Sequence, residues 1–232
     1  MPDTATQPPR ALSPIPRART LADEVASRII MAIARGEKQP GERLTEAEIA
    51  AGMNISRVPA REAMQRLEQQ GILVAVEMRG MRVADFSLPR IAELYEARLA
   101  IETILFRHLL PRCRSDPSLI EQLDAIVDRM AEVADSGDHI AINMVDLDFH
   151  RTAARLSQNH AAERLWNALS SQLIIVFCME SVRVLDFPAA IETHRELCEM
   201  LRHGSVGDIE NVLASHIIGP RSLLNHPDTE AR

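Results

Sequence analysis

The chain has 232 residues, 46% of them hydrophobic and 25% charged, which is enough for two compact domains with buried cores. Three scattered cysteines argue against a disulfide framework, and no apolar run approaches the roughly 18 residues of a membrane span, so we expect a cytoplasmic protein with no membrane partner. The net charge of −7 is uneven, because residues 1–85 carry 12 basic and 11 acidic side chains and the remainder carries 14 and 22. Net charge alone therefore neither supports nor excludes a nucleic-acid partner.

The N-terminal residues separate into an arm and a first helix. Residues 1–19 contain five prolines and show no apolar periodicity, which predicts a flexible basic arm and not a signal peptide. A helix then begins at a capping box formed by Thr20 and Asp23. Its apolar residues recur at helical spacing until Gly36, where we expect it to stop.

Two further short helices are predicted in close succession. The first begins at a capping box of Thr45 and Glu48 and is expected to run to about residue 51, where Gly52 supplies the stop. The second has Ser56 as its N-cap and ends at Gly71. This spacing is typical of a helix-turn-helix.

Two β-rich runs, 72–76 and 81–84, follow with a glycine between them, which is the pattern of a hairpin. Three helices and a hairpin predict a winged helix-turn-helix over residues 20–86. Beyond it, six helices are predicted near 89–109, 117–134, 139–156, 161–181, 188–203 and 206–224. The expected fold class is mostly α, with a C-terminal all-α antiparallel bundle over residues 87–225 and a short tail over 226–232.

The third predicted helix places its apolar residues on one face and two arginines, Arg57 and Arg61, on the neighbouring face. The N-terminal turn of a recognition helix meets base edges in the major groove, and arginine binds guanine through two hydrogen bonds. The alternative is a solvated face on which these arginines pair with Glu62 or Glu68. The helix-turn-helix spacing favours the DNA contact.

Four segments of this region resemble the DNA-binding domain of the GntR family, namely residues 40–44, 55–63, 71–73 and 79–80. The resemblance implies that the recognition helix and the wing contact DNA through Ser56, Arg57, Arg61, Arg79 and Gly80. Val58 stands where threonine is usual, and Ala47 stands where some members have arginine. We therefore expect the operator sequence to differ from the operators of family members that carry threonine and arginine at these two positions.

The predicted bundle contains a set of possible metal ligands. Asp146 and His150 lie one turn apart on one helix, so their side chains point the same way. His194 and His216 lie near the middles of the last two helices, and side chains from separate helices can converge inside a bundle. One carboxylate and three imidazoles suit Zn²⁺, Ni²⁺, Mn²⁺ or Fe²⁺. The alternative is that each histidine is an ordinary core or surface residue.

The same residues resemble the ligand domain of the FadR-type subfamily, the all-helical FCD domain. The resemblance implies one divalent ion per subunit, with zinc preferred over nickel, manganese or iron, held by Asp146, His150, His194 and His216. It also implies that Arg98 and Asn159 belong to an effector cavity, the alternative for Arg98 being a surface pair with Glu102. An arginine beside a metal suits a small organic acid, because the guanidinium clamps a carboxylate through two hydrogen bonds.

These features predict a homodimeric, sequence-specific transcriptional regulator, most simply a repressor whose binding to double-stranded operator DNA is modulated by a small carboxylate effector. A homodimer presents two recognition helices to a near-palindromic site. One alternative is a metal-dependent enzyme acting on small organic acids, although the sequence offers no obvious general base beside the ligands. A second alternative is a regulator whose metal is only structural.

Overall fold

The computed structural model describes residues 20–76, 80–183, 186–219 and 224. The predicted arm over 1–19 and the tail over 226–232 lie outside these described residues. The bounds of the helices and strands are α1 (Leu21–Ala34), β1 (Arg43–Leu44), α2 (Glu46–Met53), α3 (Arg57–Gln69), β2 (Leu73–Ala75), β3 (Met81–Val83), α4 (Leu88–Ser115), α5 (Ser118–Ala134), α6 (His139–Ser157), α7 (His160–Arg183), α8 (Phe187–His203) and α9 (Ile209–Ile217). The predicted fold class, a winged helix-turn-helix followed by an all-α bundle, is confirmed.

Local capping determines where the first helices begin. The hydroxyls of Thr20 and Thr45 each accept a hydrogen bond from the backbone N–H three residues on, at 3.2 Å, and the carboxylates of Asp23 and Glu48 reach back to complete both capping boxes. The three strands form an antiparallel sheet in the order β1-β3-β2. This sheet packs beside α3, whose buried face consists of Ala60, Ala63, Met64 and Leu67.

Two boundaries in the first part differ from the prediction. Helix α2 continues through Gly52 to Met53, and Asn54 ends it in a left-handed conformation with φ of 53°. Asparagine tolerates this conformation better than most residues, so it takes over the role expected of glycine. Strand β1 was not predicted, because the two residues Arg43 and Leu44 are too few to produce a periodic signal.

Gly80 occupies a position that requires glycine. Its φ is +89°, and a Cβ atom there would lie 2.9 Å from the backbone oxygen of Leu44. Both the left-handed conformation and the close approach of the neighbouring strand disfavour a side chain. The glycine is therefore explained by the sheet itself, whatever it contacts on DNA.

The helical part also corrects two predicted ends. Helix α4 has 28 residues and passes through Pro111 to Ser115, whereas the prediction stopped it at 109. Proline costs a backbone hydrogen bond, but the turn that follows it remains anchored because Cys113 is buried. Helix α9 ends at Ile217, and the described residues do not continue it to 224.

Helix α7 is more apolar than the sequence reasoning anticipated, although it contains no uninterrupted apolar run as long as a membrane span. By length and composition the window His160–Val182 could cross a membrane, with a mean hydropathy of 1.3. However, 56% of this window is buried within the fold, where α7 packs against α1, α4 and α6. Its apolar character is accounted for by this central position.

Arg90 links the winged helix-turn-helix to helices α4 and α7 of the bundle. The Arg90 side chain on α4 donates hydrogen bonds to the backbone oxygen of Gly71 at 2.6 Å and to the Gln172 Oε1 at 3.1 Å. Gly71 follows the C-terminal end of α3, and Gln172 lies on α7. A direct polar contact therefore connects the end of the predicted recognition helix to the helical bundle.

Candidate functional site

Three histidines from three different helices meet inside the bundle. His150 comes from α6, His194 from α8 and His216 from α9, and their possible ligand atoms all lie within 4.8 Å of one another. The Nε2 atoms of His150 and His216 are 3.0 Å apart. The Asp146 Oδ1 lies 3.6 Å from the Nε2 atoms of both His150 and His194. The structure thus brings together all four side chains that the sequence predicted as ligands.

The other ring nitrogen of each histidine faces an outer partner. Nδ1 of His194 lies 2.7 Å from the Ala190 backbone oxygen, and Nδ1 of His216 lies 3.1 Å from the Thr193 hydroxyl, which itself donates to that same oxygen. Nδ1 of His150 lies 3.1 Å from a Glu102 carboxylate oxygen, an acceptor that favours a proton on this nitrogen. These partners favour the tautomer that leaves an Nε2 lone pair directed inward.

The electrostatics of the cluster also suit a metal. Burial lowers the pKa of His150 and His216, and the nearby Arg98 guanidinium lowers both further, so these imidazoles are neutral and can donate lone pairs. Among the described residues, Nε2 of His194 is buried without a hydrogen-bond partner. Buried polar atoms without partners are rare, and a coordinated cation would satisfy this one.

Arg98 and Glu102 form an ion pair, but a buried one. Their side chains are only 4% and 1% exposed, and the Arg98 Nε donates to the Glu102 carboxylate at 2.9 Å. The expected alternative of a surface pair is therefore wrong. Glu102 also accepts a hydrogen bond from the Trp166 indole at 2.9 Å. Burial alone would raise the pKa of Glu102, but the adjacent Arg98 guanidinium holds it well below its usual range.

The Arg98 guanidinium also reaches the histidine cluster. Its Nη2 lies 2.8 Å from the Nε2 of His150 and 3.3 Å from the Nε2 of His216, so it donates to the lone pairs that would bind a metal. A cavity of about 30 Å³ lies beside the Arg98 guanidinium. The polar and charged residues that line this cavity are Tyr95, Arg98, Asp146, Glu180, Thr193 and His216. Arg98 therefore lies between the candidate metal cluster and this cavity.

The predicted recognition helix exposes its N-terminal turns. Ser56, Arg57 and Arg61 are exposed, as expected, although the Ser56 hydroxyl makes no capping hydrogen bond. Arg61 pairs with Glu46 on α2, through hydrogen bonds of 2.7 and 2.9 Å, and not with the acidic residues of its own helix. Val58, between the arginines, is 63% exposed. Arg79 lies outside the described residues.

The comparisons with known proteins agree with the two-part organisation of the chain. The sequence profile described as "Bacterial regulatory proteins, gntR family" matches residues 21–83, and the profile described as "FCD domain" matches residues 93–219.

The chain belongs to the GntR family and has a C-terminal FCD domain.

Two GntR-family relatives are repressors by name. The chain is 30% identical over 200 residues to the "Probable D-xylose utilization operon transcriptional repressor" of Paenarthrobacter nicotinovorans, covering 85% of this chain and 86% of the relative. It is 30% identical over 176 residues to the "Gluconate operon transcriptional repressor" of Bacillus subtilis (strain 168), covering 73% and 71%. This GntR-family member is therefore a DNA-binding transcriptional regulator and not an enzyme.

A solved structure shares the fold. E. coli McbR/YncC superposes with a TM-score of 0.69 at 18% identity, covering 91% of this chain and 100% of that chain. At this identity the similarity concerns the architecture only. It supports the arrangement of a GntR-type winged helix before an FCD bundle.

The structure does not bring Asn159 to the FCD cavity. Its Oδ1 accepts a hydrogen bond from the Ala162 N–H at 3.2 Å, at the start of α7, and its own N–H donates to the Ser157 hydroxyl at 3.1 Å. Asn159 is not among the residues that line the cavity. Its contacts are those of a helix cap, so the expected effector contact is not supported.

Several residues of the FCD site escaped the sequence reasoning. Glu102 was expected only as a surface partner of Arg98, and its burial and its contact with Trp166 were not anticipated. Trp166 and Glu180 could not be found from the sequence, since α7 has no marked polar face and both approach α4 from far along the chain. Thr193 was not singled out either, and its contact with Nδ1 of His216 depends on how α8 and α9 pack together.

Proposed function

We propose that this protein is a homodimeric repressor whose affinity for operator DNA changes when a small carboxylate binds beside a divalent metal ion in the FCD domain. The observation that carries the proposal is the convergence of three oriented imidazoles and Asp146 next to Arg98 and a cavity. The names of the two relatives described above favour repression over activation.

The donor set fits a borderline divalent cation. Three imidazole nitrogens and one carboxylate oxygen are ligands that zinc accepts, and nickel, manganese and iron accept the same atoms. Asp146, His150, His194 and His216 would hold the ion, while Glu102, Ala190 and Thr193 hold the imidazoles from outside. When bound, the ion supplies positive charge and a coordination position for a carboxylate oxygen.

Arg98 couples the two ligands. In the described structure its N–H groups face the Nε2 atoms of His150 and His216. Arg98 must release these nitrogens when they coordinate a cation, and Nη2 of the guanidinium then becomes available to a carboxylate. Because Glu102 still accepts a hydrogen bond from Nε at 2.9 Å, only the Nη2 end of the Arg98 guanidinium needs to move. Binding of metal and of effector is therefore expected to be cooperative.

The route to DNA runs through α7 and Arg90. Helix α7 supplies Phe177 and Glu180 to the cavity and Gln172 to the Arg90 contact near the end of α3. A small shift of α7 on effector binding would therefore also displace the recognition helix, through the contact of Arg90 with Gly71 and Gln172. In a homodimer this shift changes the spacing of two recognition helices over a near-palindromic operator, and affinity depends on that spacing.

The test begins with metal binding. Trp166 is the only tryptophan of the chain, and its ring lies over His150 at a centroid distance of 6.3 Å, so its fluorescence should report Zn²⁺ titrated into chelator-treated protein. His194→Ala should weaken Zn²⁺ binding by at least about tenfold, whereas His203→Ala, an exposed histidine on the same helix, should not. Equal zinc affinity of the two variants would contradict the ligand assignment.

The second step asks whether the metal senses or only supports the fold. An operator is first selected from random duplex DNA with the zinc-loaded protein, and fluorescence anisotropy then measures its affinity with and without chelator. A sensing role predicts an apo-protein that keeps its helical circular dichroism and changes its operator affinity. Loss of the helical signal on chelation would instead support the structural-metal alternative.

A further inference from the structure

An apolar side chain stands out on the exposed surface of helix α3. Among the exposed residues of α3, all of which the structure describes, Val58 is the only apolar one. The other exposed residues are polar or charged, namely Arg57, Arg61, Glu62, Gln65, Glu68 and Gln69. Arginine, glutamine and glutamate form helices more readily than β-branched valine does. Local helix stability therefore does not explain a valine at this position.

The position of Val58 on the helix gives it a meaning that an isolated exposed valine lacks. Successive residues of a helix are about 100° apart, so Val58 lies about 170° around the axis from the middle of the buried face of α3. It also lies in the first turn, directly after Arg57 and three residues before Arg61. A recognition helix contacts base edges with these N-terminal turns. Val58 is thus at the part of α3 that lies nearest the bases.

The chemistry of the major groove restricts what Val58 can contact there. Phosphates and most groups on the base edges form hydrogen bonds, and covering them with an apolar side chain would cost their hydrogen bonds to water. The C5-methyl group of thymine is the apolar group that base pairs present in the major groove. Valine in a helix occupies one strongly preferred rotamer, so its methyl groups lose little freedom when they contact another methyl group.

We propose that Val58 reads a thymine of the operator through its C5-methyl group, one or two base pairs from the base that Arg61 contacts. Residues three apart on a helix have Cβ atoms about 5–6 Å apart, and successive base pairs are about 3.4 Å apart, which gives this offset. The inference rests on the proposed reading of operator DNA by α3 and adds a base-specific contact to it.

Replacement of thymine by uracil tests the contact, because a uracil–adenine pair lacks only the C5-methyl group. Each thymine of the operator selected with the zinc-loaded protein is changed to deoxyuridine in turn, and fluorescence anisotropy at fixed salt measures the affinity of the full-length wild type. At one thymine in each half-site the change should weaken binding by about fourfold, which is what burial of one methyl group contributes. If every uracil-substituted operator binds as tightly as the original, the inference is overturned.

The variant Val58→Ala assigns the contact to this side chain. It shortens an exposed residue, so the helical circular dichroism and the thermal unfolding should match those of the wild type. At the sensitive position, the affinity ratio between the thymine and uracil operators should fall from about fourfold to less than about 1.5-fold. Val206→Ala, at an exposed valine between α8 and α9, is the matched control and should keep the wild-type ratio. An unchanged ratio in folded Val58→Ala protein would overturn the assignment to Val58.

The variants Arg57→Ala and Arg61→Ala separate this inference from the proposed function. If either one weakens operator binding while uracil has no effect on the wild type, α3 reads the operator without Val58, and only the inference fails. If neither variant weakens operator binding, α3 does not read DNA, and the inference fails together with the proposed role of the recognition helix.

Discussion

Two arginine–glutamate pairs, one in each part of the molecule, show how burial alters the same chemistry. Arg61 and Glu46 meet on the predicted DNA-binding surface through hydrogen bonds of 2.7 and 2.9 Å, with side chains 60% and 33% exposed. Arg98 and Glu102 meet inside the FCD domain at 2.9 Å, with side chains 4% and 1% exposed. Water screens the first pair, which can therefore exchange partners at little cost. The second pair cannot separate without leaving a buried charge uncompensated.

This difference suits the two proposed tasks, contact with DNA by Arg61 and the positioning of ligands by Arg98. A residue that reads DNA must give up its partner in the free protein for a phosphate or a base, which an exposed pair allows. A residue that positions ligands must keep its place, which a buried pair enforces. Glu46 thus orients Arg61 until DNA replaces it as the partner. Glu102 holds the Nε atom of Arg98, so only the terminal nitrogens of that guanidinium can change partners.

The largest expected effect is on the buried pair. Glu102→Ala removes the partner of the Arg98 guanidinium and the acceptor of the Trp166 indole, so we expect a loss of about 3–5 kcal/mol in the free energy of unfolding. Urea denaturation followed by circular dichroism measures it, and Glu121→Ala serves as the exposed control. A loss below about 1 kcal/mol would mean that water reaches the pair and that the contrast between the two pairs is wrong.

An intermediate effect is expected at the recognition helix. Arg61→Ala should weaken operator binding by at least about tenfold, because an arginine on the first turns of this helix can bind a base edge. Thermal unfolding should hardly change, since the side chain is exposed. Fluorescence anisotropy at fixed salt gives the affinity, and Arg57→Ala should behave in the same way. Wild-type operator affinity in both variants would show that these arginines do not face DNA.

The smallest effect is expected from Glu46→Gln, which sharpens the comparison. The amide removes the charge that holds Arg61 and a negative charge beside the DNA backbone, so affinity for random duplex DNA should rise by roughly threefold. The affinity ratio between operator and random DNA should fall, because Arg61 is no longer held in one orientation. An unchanged ratio would indicate that Glu46 does not position Arg61.

A good part of the fold was predictable because it depends on local interactions. The capping boxes at Thr20 and Thr45 appear as expected, since each involves residues three apart. The end of α2 was misplaced, because asparagine and glycine both tolerate a left-handed conformation and Asn54, not Gly52, adopts it. Strand β1 depends entirely on pairing with β3, which no local pattern of two residues can reveal.

The candidate site shows the same division. Asp146 and His150 could be paired by their spacing on one helix, and the family resemblance added His194 and His216, which the structure places beside them. Asn159 was expected in the cavity from the same resemblance, but its side chain is engaged as a cap at the start of α7. Resemblance named the residue without saying which neighbour its side chain contacts.

The sequence by itself determined the winged helix-turn-helix, the helical bundle and the pairing of Asp146 with His150, because helical periodicity, caps and short spacings act between residues close in the chain. Only the tertiary structure decided that Arg98 is buried against Glu102, that Trp166 shares that carboxylate, and that Glu180 faces the cavity. The contacts of Trp166 with Glu102 and of Glu180 with Tyr95 join α4 to α7 across more than sixty residues. Such positions follow from how helices pack, and packing is decided by the whole core.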